Sequence, residues 1–83
     1  MNMTTIGTTY RLLEEIADLF ASSPSREQLL NFRASESVQE RVRELLTKLN
    51  AGRISQDEQR ELNQYEQVEM LIRLVKARLR AND

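Results

Sequence analysis

Helix-breaking residues are nearly absent from this chain. Two glycines and one proline stand among 83 residues, while leucine, glutamate, arginine and glutamine are abundant. These four residue types lose little side-chain freedom in a helix, whereas glycine and proline interrupt one. No stretch of four or more residues alternates between apolar and polar as a strand does. The sequence therefore predicts an all-α protein that forms a single domain, residues 1–83.

Capping residues divide the chain into four helices. The predicted ranges are 8–20, 26–32, 36–50 and 56–81, after a disordered N-terminus at 1–7. The first helix is predicted to begin at Thr8 or Thr9, either of which can cap it, and the third follows a serine cap, Ser35 or Ser37. Three pairs have the spacing of a capping box, in which each side chain bonds the other residue's backbone: Ser25 with Gln28, Ser37 with Glu40, and Ser55 with Glu58.

Apolar residues recur at helical spacing in each of these segments, which predicts one buried face per helix. The predicted core residues are Leu12, Leu13, Ile16, Leu19 and Phe20, then Leu29 and Phe32, then Val38, Val42, Leu45, Leu46 and Leu49, and last Leu62, Tyr65 and Val68.

The third and fourth helices are joined by only about five residues. Connections this short join antiparallel neighbours, so the fold is predicted to be built on a C-terminal αα-hairpin. Gly52 in the connection stands where a left-handed C-terminal cap is favoured. The last helix, roughly 37 Å long, should project about 15 Å beyond its partner of roughly 22 Å. Helices 1 and 2 are expected to pack across it.

The projecting end of the last helix is apolar over an arc of roughly 160°. The residues in this arc are Leu71, Ile72, Leu74, Val75 and Leu79. A single facing helix covers less than this, so two neighbours are predicted. One is the first helix, and the other is the second helix or another protein chain.

Two interpretations of this end remain open. In one, helices 1 and 2 cover it completely and the chain is a closed monomeric bundle. In the other, which we favour because so short a chain buries a small core, part of it binds a homodimer copy or a heterologous protein. The predicted partner-binding residues are Leu71, Leu74, Val75 and Arg78. Arg78 either extends its charge to water or reaches a partner carboxylate or carbonyl.

The residue types that most often carry out catalysis are absent from this sequence. There is no histidine and no cysteine, so the commonest general base, the commonest metal ligand and any thiolate are absent. Glutamates one turn apart, Glu58 with Glu61 and Glu66 with Glu69, are interpreted as surface ion-pairing groups. We therefore predict a protein that is not an enzyme, with no catalytic residue, no metal and no cofactor.

The charges of the chain are nearly balanced, with 12 basic and 13 acidic residues. This balance gives no general attraction to nucleic acid or to an anionic membrane. An alternative function, weak nucleic-acid binding, rests on a basic stripe near the C-terminus, Arg73, Lys76 and Arg80. No secretory signal and no apolar run of about 20 residues is visible, which predicts a cytoplasmic protein without a membrane span.

Sequence motifs from residue 29 onward carry a resemblance that covers about two thirds of the chain. They are Leu29-Leu30-x-Phe32-Arg33-x-Ser35, Gln39-x-Arg41, Leu45-Leu46-x-Lys48, Gly52-x-Ile54-Ser55-x-x-Glu58-x-x-Glu61-Leu62-x-x-Tyr65, Glu69 and Lys76-Ala77-Arg78-x-Arg80. In these the chain resembles a group of small, uncharacterised bacterial helical proteins that is frequent in cyanobacteria. The resemblance implies a compact partner encoded beside HNH-type nucleases or toxin-like enzymes, in an antitoxin or nuclease-accessory role.

Overall fold

The structure, a computed structural model, describes residues 3–82, with side chains from residue 11 onward. Its four helices are α1 (Met3–Ala21), α2 (Arg26–Leu30), α3 (Glu36–Asn50) and α4 (Gln56–Ala81). No strand occurs among residues 3–82, so the prediction of an all-α chain with four helices and a long last helix is confirmed.

Helix boundaries agree with the sequence for α3 and α4 and differ for the first two helices. Helix α1 begins at Met3, before the predicted start at Thr8 or Thr9. Residues 3–7 of the segment predicted to be disordered thus belong to this helix, while residues 1 and 2 lie outside the described range. One glycine in a helix costs only about 1 kcal/mol relative to alanine, so Gly7 does not end it.

The second helix is shorter than the sequence predicts. It ends at Leu30 instead of Phe32, with Asn31 as its C-cap. Beyond this end, the Phe32 carbonyl accepts a hydrogen bond from the Lys76 ammonium of α4 at 2.7 Å. This bond ties the connection between α2 and α3 to the last helix.

Serine caps begin α2, α3 and α4. The capping boxes of Ser25 with Gln28 and of Ser55 with Glu58 are confirmed, since both reciprocal hydrogen bonds are present in each. The third predicted box is wrong: α3 is capped by Ser35. The Ser37 hydroxyl instead accepts a hydrogen bond from the Arg11 guanidinium of α1, which positions α1 against the start of α3.

The connection between α3 and α4 turns at Gly52, as predicted. Its φ of +69° lies in the left-handed region that favours glycine. A Cβ atom there would have no heavy atom within 4 Å, so the constraint on this position is the backbone angle and not space.

Helix α4 contacts α1, α2 and α3, and α1 also contacts α3. Between them lies one core cluster. Its buried residues are Leu12, Ile16, Val38, Leu45, Leu62 and Tyr65. The Arg26 guanidinium of α2 donates to the Leu79 carbonyl at 2.9 Å, which holds the second helix near the end of α4. The molecule is elongated, with extents of 44 × 26 × 18 Å.

Part of the predicted core is exposed. Four residues expected to be buried lie at the surface: Leu13, Phe20, Leu46 and Leu49. Each apolar face is wider than the contact that one neighbouring helix makes, and in a chain this short no further element covers its edge.

Candidate functional site

The predicted partner-binding residues lie mostly on the side of α4 that faces away from the core. Leu71 is 52% exposed and Leu74 43% exposed, and Arg78 beside them is also exposed. Leu74 follows the buried Tyr65 by nine residues, about two and a half helical turns, which places the two on opposite sides of the helix. With the exposed Met70, these residues form what we call the outer face: Met70, Leu71, Leu74 and Arg78.

Two predicted partner residues, Val75 and Leu71, border other helices of the chain. They line a narrow apolar groove with Leu19 and Phe20 of α1 and Leu29 of α2, in which Val75 is half-buried while Leu71 is 52% exposed. Helices α1 and α2, the two neighbours that this chain could itself supply for the end of α4, both contact α4. They cover one flank of this end, while the outer face remains open.

The basic stripe predicted from Arg73, Lys76 and Arg80 does not form a solvated face. Lys76 follows Tyr65 by eleven residues, about three helical turns, and so points toward the core side, where it is half-buried and bonded to Phe32. Arg73 pairs loosely with Glu69 at 3.6 Å. Arg80 is exposed, one turn beyond Lys76. Of the three cations, Arg73 and Arg80 are thus exposed and Lys76 is only partly exposed.

A pocket of about 310 Å³ is enclosed by three helices, α1, α3 and α4, and by the connection between α2 and α3. Its apolar lining comes from Leu12, Phe32, Ala34 and Ile72. Its polar lining comes from Arg33, Gln39, Glu69, Arg73 and Lys76. Two members of the predicted basic stripe are thus part of a concave site. We call this site the basic pocket.

A partly buried ion pair, absent from the predictions above, joins α3 to α4: the Glu61 side chain is 1% exposed and the Arg41 side chain 24% exposed. The Arg41 guanidinium donates two hydrogen bonds to the Glu61 carboxylate, at 2.8 and 2.9 Å. The Tyr65 hydroxyl is also hydrogen bonded to this carboxylate. The interpretation of Glu61 as a surface group is therefore wrong. A signal was present, because Glu61 stands four residues before Tyr65 and seven before Val68, on the same helical face.

The environment of this pair shifts two pKa values. The hydrogen bonds to Glu61 raise the pKa of Arg41 further above its usual range. Burial, followed by the nearby Glu61 charge, raises the pKa of Tyr65 to about 12. Every buried side-chain nitrogen and oxygen atom of the described residues has a hydrogen-bond partner. The pair therefore joins α3 to α4 with its buried polar atoms hydrogen bonded.

A second ion pair between α3 and α4 lies near their connection. The Lys48 ammonium donates to the Glu58 carboxylate, which also bonds the Ser55 backbone N–H. These contacts, that from Lys48 foremost, lower the pKa of Glu58 to about 2, and the same bond raises the pKa of Lys48. Glu58 therefore caps its own helix and joins it to α3.

We expect this pair to make the protein acid-sensitive. The pKa of Glu58 is lower in the folded state than its ordinary 4.5, so its contribution is present above pH 4.5 and is lost as the pH falls toward 2. Between pH 5 and pH 3, the melting temperature of a Glu58→Gln variant should thus fall less than that of the parent chain. Circular dichroism measures the melting temperatures of the variant and of the parent chain. Glu66→Gln, which changes an exposed carboxylate of the same helix, is the control and should follow the parent; equal slopes for all three chains would contradict the prediction.

Comparison of the chain with protein-family models, with curated proteins and with solved structures finds no match. The resemblance to the bacterial helical group therefore stays a prediction. Within the described residues there is no helix long and apolar enough to span a membrane, and no group of three or more acidic side chains that could hold a metal ion.

Proposed function

We propose that this chain is a non-enzymatic protein–protein interaction module whose contact surface is the outer face of α4. The observation that carries the proposal is the exposure of Leu71 and Leu74, 52% and 43%, on the long last helix, where Leu71 also borders the groove formed with α1 and α2. Exposed apolar side chains that stand together, with an arginine among them, are typical of the centre of a protein interface. The partner is another protein chain, either a second copy or a heterologous protein.

The scaffold for this surface is the predicted αα-hairpin of α3 and α4. Two pairings support an antiparallel arrangement: Lys48, near the end of α3, bonds Glu58, near the start of α4, and the earlier Arg41 bonds the later Glu61. Helix α4 has 26 residues against 15 in α3, about 39 Å against about 22 Å. The first 15 residues of α4 end at Met70, so the outer face from Leu71 onward lies in the part that this difference in length would leave beyond α3.

The position of Arg78 indicates one property of the expected partner. Arg78 lies between Leu71 and Leu74 in helical projection, so a partner side chain that accepts its hydrogen bonds must sit within an apolar contact. The resemblance noted above adds an antitoxin or nuclease-accessory role to the proposal, with a toxin-like or HNH-type enzyme as the heterologous partner and the cytoplasm as its location.

We predict that Leu74→Asp abolishes association and leaves helical content unchanged. Burying a charge in an apolar contact is expected to weaken binding by a factor of at least a hundred. Leu46→Asp is the matched control, since Leu46 is 41% exposed but lies on α3, away from the outer face. Sedimentation velocity gives the mass and circular dichroism the helical content. If Leu46→Asp weakens association as much as Leu74→Asp, the outer face is not the contact surface.

A photo-crosslinking residue at position 74 distinguishes a copy from a heterologous partner. Irradiation in cells should yield an adduct at this position, and mass spectrometry should identify it as this chain or as another protein. The same residue at position 46 should yield little adduct. Equal yields at the two positions, or none at position 74, would contradict the proposal.

Nucleic-acid binding has less support as a second function. Of the three predicted residues, Lys76 is bonded to the Phe32 carbonyl and Arg73 borders the basic pocket, so they do not form a flat cationic strip with Arg80. Charges that are spread in this way offer few simultaneous phosphate contacts.

A further inference from the structure

The basic pocket combines an apolar floor with a cationic rim. Leu12 is fully buried at the floor, and Phe32 and Ile72 beside it are half-buried. Arg33, Arg73 and Lys76 stand around them with a single carboxylate, Glu69. A flat surface patch would expose its apolar residues to water, whereas this floor lies in a concavity.

The charge of the lining is distinctive for this molecule. Three cations and one anion give the pocket a net charge of +2, although the whole chain carries −1. Cations that converge on a concave, partly apolar site raise the local concentration of anions there. The electrostatic complement of the pocket is therefore a negatively charged ligand.

The cations have donors to offer. Lys76 gives one hydrogen bond to the Phe32 carbonyl, which fixes its ammonium group and leaves two of its three N–H groups. The contact between Arg73 and Glu69 is 3.6 Å long and mostly exposed, so it is weak and can be exchanged for a ligand contact. The exposed Arg33 also lines the pocket, from the connection between α2 and α3.

The shape of the site also limits the ligand. A volume of about 310 Å³ is at the lower end of the range for small-molecule pockets, roughly 300–1,000 Å³. An apolar body the size of one aromatic ring fits this space and covers the floor. Gln39, whose side-chain amide donates to the Ala34 carbonyl at 2.7 Å, holds the wall between α3 and the preceding connection.

We propose that the basic pocket binds a small organic anion. The apolar body of the ligand contacts Phe32 and Ile72, and its carboxylate or phosphate group bonds Arg33, Arg73 and Lys76. This goes beyond the proposed interaction function and is independent of it. Lys76 follows Leu74 by two residues, or 200° around the helix, so the pocket and the outer face open on different sides of α4.

Isotope-edited NMR spectra of the backbone amides test this proposal. Hydrocinnamate and phenyl phosphate are the two anionic probes, and they tell a carboxylate ligand from a phosphate ligand. Hydrocinnamyl alcohol is the neutral probe of the same shape. We expect at least one anion to shift the amides of Arg33, Ala34 and Arg73 with a Kd of about 1 mM. The alcohol should bind about tenfold more weakly or not at all.

Variants assign the binding to the pocket. Arg33→Gln and Arg73→Gln should each weaken anion binding about tenfold. Arg53→Gln removes an exposed cation outside the pocket and should leave the Kd unchanged. Leu74→Asp should also bind the anion normally, even though it is expected to lose association. The proposal is overturned if neither anion shifts the pocket amides, if the alcohol binds as well as the anions, or if Arg53→Gln weakens binding as much as Arg73→Gln.

Discussion

Replacing Arg41 with methionine is expected to destabilise the protein by about 3–5 kcal/mol. The substitution keeps an apolar stem in place but leaves the buried Glu61 carboxylate without the cation that pairs with it. The Tyr65 hydroxyl is then the remaining neighbour known to bond this carboxylate. A domain of this size has a total stability of only about 4–12 kcal/mol, so the loss should unfold a large share of the molecules. Urea denaturation followed by circular dichroism measures it.

Two comparisons identify the cause of this loss. Arg43→Met removes an exposed cation of the same helix, whose contact with Glu36 is 3.7 Å long, and should cost less than about 1 kcal/mol. The double variant Arg41→Met/Glu61→Leu removes both charges and should recover part of the stability, since an apolar pair can replace a buried ion pair while the Tyr65 hydroxyl loses its carboxylate partner. If Arg41→Met is no worse than Arg43→Met, the ion pair does not support the fold as argued.

What the sequence predicts well in this chain is local. The boundaries of α3 and α4, the capping boxes at Ser25 and Ser55 and the turn at Gly52 each depend on residues within one turn of each other. Their hydrogen bonds are therefore encoded by spacing alone. The contact between Phe32 and Lys76, which are 44 residues apart in the chain, cannot be predicted from such spacing.

Side-chain surroundings were harder to predict than helices. Leu71 and Leu74 fall within an apolar arc, but the direction of the core is set by Leu62 and Tyr65, which lie on the same side of the helix as the edge of that arc at Ile72. A sequence pattern gives the width of an apolar face and not the position of the helix that covers it. The basic pocket could not be predicted for the same reason, because its residues come from three helices and one connection whose relative positions the pattern does not give.

Leu45 offers the second large effect, because it is fully buried among three helices. We expect Leu45→Ala to destabilise the protein by about 2–5 kcal/mol, from the lost apolar contact and from the cavity that the remaining side chains cannot fill. Leu12 of α1 and Leu62 and Tyr65 of α4 are the other large, fully buried side chains of this core. The Leu45 side chain is thus part of the core against which α4 packs.

The adjacent residue supplies the control for this experiment. Leu46 follows Leu45 on the same helix but is 41% exposed, so Leu46→Ala should cost less than about 1 kcal/mol. The two variants make the same substitution, leucine to alanine, at adjacent positions of the same helix. They differ in the burial of the residue that is replaced. Urea denaturation should therefore separate their midpoints clearly. A loss at Leu46 as large as that at Leu45 would mean that Leu46 is covered in solution, and hence that the chain associates through α3 rather than through the outer face of α4.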